Sequence, residues 1–209
     1  RADALHRLTD AGREELLAAG LRTVVDLRFE AEKKEAPQPF CGDPRVVVRD
    51  ISLFARLNTA GLHAGDEGDL LAALYRMALA SCRGEIGAVL TAIAEADSGM
   101  VLFHCTAGKD RTGIVAALLL LLADVPADTI AADYALTATL GARLHDELLR
   151  HMVARGQPEA EAKRYLAARR ETMHDTMGYL AAEYGGIDGY LGGGLSSDRS
   201  SRLRARLVA

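Results

Sequence analysis

The sequence has 209 residues, no tryptophan, five prolines and only three cysteines, Cys41, Cys82 and Cys105. An odd cysteine count with no paired spacing excludes a disulfide framework and points to a reducing, cytoplasmic compartment. Positive charge is not in excess, since 25 Lys and Arg stand against 29 Asp and Glu for a net charge of −4. Such a chain has no basic field to hold nucleic acid non-specifically. The longest apolar run, Ile114 to Ala123, falls well short of the roughly 20 residues a membrane-spanning helix needs. It predicts a buried helix instead. No His, Cys and Asp cluster has metal-ligand spacing, so neither a metal nor another cofactor is expected. The chain begins at Arg1 with no methionine and no signal peptide, and upstream residues are expected to be missing.

About half the residues are hydrophobic (49%), which suits one sizeable domain with a helical elaboration. Its most informative stretch runs Val101-Leu-Phe-His-Cys-Thr-Ala-Gly-Lys-Asp-Arg-Thr-Gly-Ile-Val115: an apolar strand, a tight polar loop and an apolar helix. A strand ending at His104 and a helix starting near Arg111 place free backbone N–H groups around one point, at the positive end of the helix dipole. That is an anion site. Glycines such as Gly108 let the N–H groups of Thr106, Ala107, Gly108, Lys109, Asp110 and Arg111 turn inward. A thiolate is favoured over a thiol in such a place, which makes Cys105 a candidate nucleophile. Arg111 follows it after five residues and can grip two phosphate oxygens with one planar fork. Thr112 is placed to bond the sulfur, and His104 to hold the loop through backbone contacts.

A lone cysteine behind a strand is more often a small buried hydrophobe, which accounts for Cys41 and Cys82. It accounts poorly for Cys105, beside which His104, Gly108, Arg111 and Gly113 stand together. The nucleotide-binding loop Gly-x4-Gly-Lys-Ser/Thr is excluded, because Phe103 occupies its first glycine and Asp110 its Ser/Thr.

Elsewhere, Thr9 predicts the N-cap of a helix to Ala18, stopped by Gly20, and 21–27 a buried strand ending in Asp26-Leu-Arg28. Asp26 and Arg28 read slightly better as a structural ion pair than as phosphate-steering groups. Residues 29–34 read as a solvated charged face, and 45–51 as a second strand. A glycine-rich mobile loop is expected at 56–68, helices at 69–80 and 85–95, and nearly continuous helix from Pro126. Met173, Met177, Leu180 and Tyr184 share one helix face, and a short basic helix closes the chain from Ser196.

The segment from His104 to Gly113 resembles the Cys-x5-Arg signature of the protein tyrosine phosphatase superfamily, in the Ala-Gly-Lys-Asp-Arg-Thr-Gly form of one bacterial branch. Asp26-Leu-Arg28 with Glu30, Glu32 and Pro37, Asp133-Tyr-Ala-Leu-Thr137, and Tyr184-Gly-Gly-Ile-Asp-Gly-Tyr-Leu191 extend the likeness over nearly the whole chain. Phe29 departs from it, standing where a small polar residue is usual. The resemblance implies an α/β fold with a central, mostly parallel sheet of about four or five strands, flanked by helices. A helical, lid-like insertion is expected at about 141–170. It also implies a metal-free phosphatase acting through a thiophosphate on Cys105. The substrate would be a phosphorylated protein, foremost phosphotyrosine, or a phosphoinositide, for which Lys109 adds positive charge; inorganic phosphate is the product. Such enzymes protonate the leaving group with an Asp from a Trp-Pro-Asp loop, which a chain without tryptophan cannot have. Asp50, Asp66 and Asp69 qualify by position, but Asp110 lies in the phosphate loop itself. Reach comes before pKa, so Asp110 is the expected acid and Asp50 the reserve; an anchor for loop or helix N–H groups is nearly as good a reading of Asp110. With the acid loop missing, a phosphate-binding module without turnover stands as the third reading.

Overall fold

A computed structural model describes residues 1–58, 69–192 and 194–208. After a short 3-10 turn at Leu5–Arg7 come α1 (Asp10–Ala18), β1 (Leu21–Asp26), α2 (Glu30–Glu35), β2 (Val47–Asp50), α3 (Leu70–Ser81), α4 (Arg83–Ala94) and β3 (Met100–His104). The rest is helical: α5 (Asp110–Leu122), α6 (Ala127–Leu140), α7 (Ala142–Ala154), α8 (Glu159–Leu166), α9 (Arg170–Tyr184), α10 (Ile187–Leu191) and α11 (Ser197–Leu207). The local signals act where expected. The Thr9 side chain accepts from Gly12 N, Gly185 ends α9 in the left-handed region at φ 70°, and the Ser196 side chain caps α11.

The three strands form a parallel sheet in the order β2-β1-β3. These are the three strands the hydrophobic runs indicate. The one or two more implied by the likeness are absent among the described residues. Beyond β3 lies a one-residue parallel bridge from Ala2 to His104. Side-chain alternation along β1 separates two cores. Val24 faces a small one with Leu17, Phe40 and Leu102; Val25 faces the main one with residues of α3, α4, α5, α6 and α9. Helix α5 runs through that main core, with Ile114, Val115, Leu118, Leu119 and Leu122 all buried. In contrast, α7 has no buried residue, and α8 buries only Ala162. Both helices lie within residues 141–170, the stretch expected to form a lid-like insertion.

Because all strands run one way, their carboxyl ends share one edge, where ligands bind in such sheets. The register sets Asp50, Asp26 and His104 in one row there. Leu118 lies in the buried middle of α5, 2% exposed. Its replacement by alanine is expected to lower unfolding free energy by about 2–5 kcal/mol, read as a shift of the denaturant midpoint at unchanged slope.

Candidate active site

The loop from Cys105 to Lys109 joins β3 to α5, so it hangs between a strand end and a helix N-terminus. Gly108 takes φ +64°, and a Cβ there would lie 2.8 Å from Ala2 O and 2.9 Å from Asp3 N. Backbone bonds fasten the N-terminal segment to this region, from Ala2 N to Phe103 O (3.2 Å) and from Ala4 N to Thr106 O (3.1 Å). Glycine is required at 108 by conformation and by space.

Beneath the loop, Asp26 and Arg28 are fully buried and paired. Arg28 Nη2 donates to Asp26 Oδ2 at 2.7 Å, Nε to Oδ1 at 2.9 Å, and Nη1 to Ala36 O at 2.7 Å. Burial alone would raise the Asp26 pKa, but the bonds from Arg28 outweigh it and the carboxyl sits below its ordinary range. The structural reading of this pair therefore accounts for all of its contacts. His104 lies 3.6 Å from Asp26 and 2.7 Å from Gln38 Nε2, and its Nδ1 is 3.2 Å from Cys105 O. Burial lowers its pKa, opposed by Asp26, so the ring is neutral. The tautomer that satisfies both contacts carries its proton on Nδ1, donating to Cys105 O, while Nε2 accepts from Gln38. His104 thus supplies geometry to the Cys105 backbone rather than charge.

Cys105 is 2% exposed. Thr112 is fully buried, and its hydroxyl makes no hydrogen bond, to sulfur or to anything else among the described residues. The expected contact to Cys105 is not formed. Such an orphaned polar atom is rare in a folded interior.

Arg111 meets a carboxylate the charge pattern did not assign to the site. Residues 29–34, expected as a solvated face, cover all but the last residue of α2, and Glu32 is turned inward from it. Arg111 Nη1 donates to Glu32 Oε2 at 2.6 Å and Nη2 to Oε1 at 2.8 Å, while Thr106 Oγ1 also donates to Oε1. Phe29 N donates to Oε2 at 2.7 Å, and the Phe29 ring lies 4.5 Å from the guanidinium carbon. The only sequence signal for Glu32 was its place after Asp26-Leu-Arg28.

The two charged neighbours inside the loop have different company. Asp110 Oδ1 accepts from the Tyr75 hydroxyl at 2.6 Å, and the Tyr134 hydroxyl lies 2.8 Å from that of Tyr75. Burial, reinforced by the Asp110 charge, raises the Tyr75 pKa well above normal. The phenol keeps its proton and donates it toward the carboxylate. The hydrogen bond that the Asp110 carboxylate accepts among the described residues comes from this phenol. Lys109 is 1% exposed; its Nζ donates to Tyr165 O at 2.5 Å and Ala167 O at 3.3 Å, and lies 3.4 Å from Asp110 Oδ1. Its ammonium is thereby bound to the end of α8 rather than left free beside the loop.

The other acid candidates lie elsewhere. Asp69 caps α3, accepting from Leu71 N and Ala72 N, and also binds Thr172 and Arg169. Asp50 is exposed at the end of β2, 3.6 Å from Lys33. Asp66, with most of the glycine-rich loop expected at 56–68, falls outside the described residues. Among the described residues no His, Cys, Asp and Glu cluster could hold a metal.

Burial alone would raise the Glu32 pKa; the hydrogen bonds from Arg111 and Thr106 outweigh it and bring it from 4.5 to about 2. A depressed carboxylate pKa stabilises the fold above its unfolded value and loses that effect as pH falls through its folded one. Unfolding free energy is therefore expected to decline between about pH 4.5 and pH 2. In Glu32→Gln that part of the decline disappears, as acid-dependent denaturant titrations would show.

A family model described as the tyrosine phosphatase family matches residues 1–209. The chain is 34% identical over 218 residues to the tyrosine-protein phosphatase of Nostoc commune, across 99% of this chain and 73% of that protein. It is 28% identical over 256 residues to the triple specificity protein phosphatase PtpB of Mycobacterium tuberculosis, across all of this chain and 90% of that protein. With its Cys105–Arg111 loop at the carboxyl edge of a parallel sheet, the chain belongs to the tyrosine phosphatase family.

Proposed function

We propose that this chain hydrolyses phosphotyrosine in proteins, with Cys105 as nucleophile, Arg111 as phosphate clamp and Asp110 as proton donor and acceptor. The observation that carries the reading is Asp110 at the first turn of α5, bonded by the Tyr75 hydroxyl at 2.6 Å through Oδ1 alone. That leaves Oδ2 without a hydrogen bond among the described residues. In the first step the Cys105 thiolate attacks phosphorus, forming the S–P bond as the P–O bond breaks. Asp110 gives its proton to the departing phenolate oxygen. In the second, water attacks phosphorus and yields a proton to the Asp110 carboxylate; the S–P bond breaks, restoring the thiolate and releasing inorganic phosphate. Backbone N–H groups from Thr106 to Arg111 hold the equatorial oxygens, where charge gathers in the transition state.

Cys105→Ser is expected to abolish phosphate release from a phosphotyrosine peptide. Asp110→Asn should cost about 10²–10⁴-fold in kcat on that peptide, and far less on 4-nitrophenyl phosphate, whose leaving group needs little protonation. Equal losses on both substrates would remove Asp110 from the acid role. Absence of turnover on either by the unmutated chain would favour a binding module.

The second reading, phosphoinositide hydrolysis, rests on Lys109. Its ammonium would have to leave the carbonyls of Tyr165 and Ala167 to meet a lipid headgroup, which makes the α7–α8 pair the element that moves, in keeping with a lid. On this reading Lys109→Ala lowers phosphoinositide turnover much more than phosphotyrosine turnover. Equal effects in paired phosphate-release assays would count against it.

A further inference from the structure

The two oxygens of a carboxyl group are equivalent until their surroundings distinguish them, and a proton donor must carry its proton on the right one. In Asp110 the neighbours make that distinction. Oδ1 accepts from the Tyr75 hydroxyl at 2.6 Å and lies 3.4 Å from Lys109 Nζ, whereas Oδ2 makes no hydrogen bond among the described residues. Behind Tyr75 stands Tyr134, with the hydroxyls 2.8 Å apart and the rings edge to face at 6.1 Å. The three side chains come from the middle of α3, the first turn of α5 and the middle of α6. Both phenols are buried in the main core, where a phenylalanine ring would fill nearly the same space, so packing requires neither hydroxyl. Gly113, one turn into α5, admits the second ring: a Cβ there would lie 3.1 Å from Tyr134 Cδ2 and 3.2 Å from Cε2.

We propose that Tyr75, held in turn by Tyr134, is the positioning residue for the proton donor: it occupies Oδ1 of Asp110, so that Oδ2 is the oxygen that gives the proton up and takes it back. This deepens the functional reading above and rests on its assignment of Asp110. Tyr75 acts through Asp110 and, being buried, does not itself touch substrate. The argument is one of proton counting. Each phenol has a single proton to give. Burial, reinforced by the Asp110 charge, keeps both hydroxyls protonated. Tyr75 directs its proton to Oδ1 and can then only accept from Tyr134, so donation runs from Tyr134 to Tyr75 to Asp110. A proton on Oδ1 would force Tyr75 to accept from it and to turn its own proton on Tyr134. The Tyr134 proton would then have no acceptor among the described residues, and an orphaned buried donor is costly. With the proton on Oδ2, every one of these bonds survives both when Asp110 is protonated and when it is ionised. The acid can thus lose and regain its proton without any rearrangement behind it, which is what preorganisation means for a group that works twice per turnover.

The test measures kcat/KM on phenyl phosphate and 4-nitrophenyl phosphate, and competitive inhibition by inorganic phosphate, with folding checked by thermal melt. The chains compared are the unmutated one, Tyr75→Phe, Tyr134→Phe, Asp110→Asn, and Tyr75→Phe combined with Asp110→Asn. Phenolate leaves only with a proton, whereas 4-nitrophenolate needs little help. Tyr75→Phe is expected to lower kcat/KM about 10-fold on phenyl phosphate, a part of what a general acid supplies, and by less than about 2-fold on 4-nitrophenyl phosphate. Inhibition by phosphate should not change, because the anion site keeps its donors. Tyr134→Phe should show the same selective loss, to a smaller degree; it serves as the working variant if Tyr75→Phe does not fold. Beside Asp110→Asn, Tyr75→Phe should alter kcat/KM by less than about 2-fold, the usual failure of additivity for residues acting as one unit. Equal losses on both substrates, or a loss that persists in full beside Asp110→Asn, would overturn the proposal in favour of packing alone. No loss on either substrate would overturn it as well. If Asp110→Asn itself does not distinguish the two substrates, the acid role of Asp110 falls and takes the proposal with it. If Asp110→Asn distinguishes them and Tyr75→Phe does not, the proposal alone falls.

Discussion

The buried pair of Asp26 and Arg28 is the interaction on which the site depends. A fully desolvated ion pair contributes little net stability, because removing two charges from water costs about as much as their attraction returns. It does fix geometry. Asp26 ends the central strand, Arg28 reaches from it to the carbonyl of Ala36, and Gln38 and His104 meet Oδ2 of the same carboxylate. Through His104 the order extends to the carbonyl of Cys105. Cys105 is therefore held by a chain of contacts that begins on the neighbouring strand. Loss of either member of the pair would leave a buried charge without its partner, the costly case.

Above that foundation the loop arranges its charges in advance. Each ionic side chain from Lys109 to Arg111 has a dedicated protein partner: Glu32 for Arg111, the Tyr165 and Ala167 carbonyls for Lys109, the Tyr75 hydroxyl for Asp110. The phenols are kept protonated by burial and by the nearby Asp110 charge, so the order Tyr134, Tyr75, Asp110 has one direction of donation. Uncommitted attraction for an anion is left to the backbone N–H groups, the α5 dipole and one edge of Arg111.

The parts of this arrangement that are local in sequence were legible there. Val101 to Val115 carries strand, loop and helix in one run, and Thr9, Gly185 and Ser196 mark helix ends by their own chemistry. The partners that come from far along the chain were not. Glu32 reaches Arg111 across 79 residues, and Tyr75 reaches Asp110 across 35. A glutamate within Glu30-Ala-Glu-Lys-Lys-Glu35 has the same neighbours in sequence whether it faces water or the interior. Only the direction in which α2 leaves β1 decides between them. Asp69 is ambiguous for the converse reason: its placement just before α3 suits an acid on a separate loop and a helix cap equally well, and in the structure it caps α3 while also binding Thr172 and Arg169.

The two cations of the loop show why residue type alone does not assign a role. Lys109 and Arg111 are two positions apart at the start of one helix and carry the same charge. An ammonium radiates three donors about one point. Lys109 directs that point at the carbonyl end of α8 and at Asp110, so its charge is satisfied by the protein itself. A guanidinium spreads five donors over a plane, and satisfying one edge leaves another intact. Arg111 can therefore be anchored by Glu32 and Leu27 and still present a fork. The planar side chain is suited to join architecture to ligand, whereas the tetrahedral one, once buried, must choose between them. In this chain Lys109 has chosen architecture, and the burial of its ammonium is the physical cost that ties the loop after β3 to the end of α8.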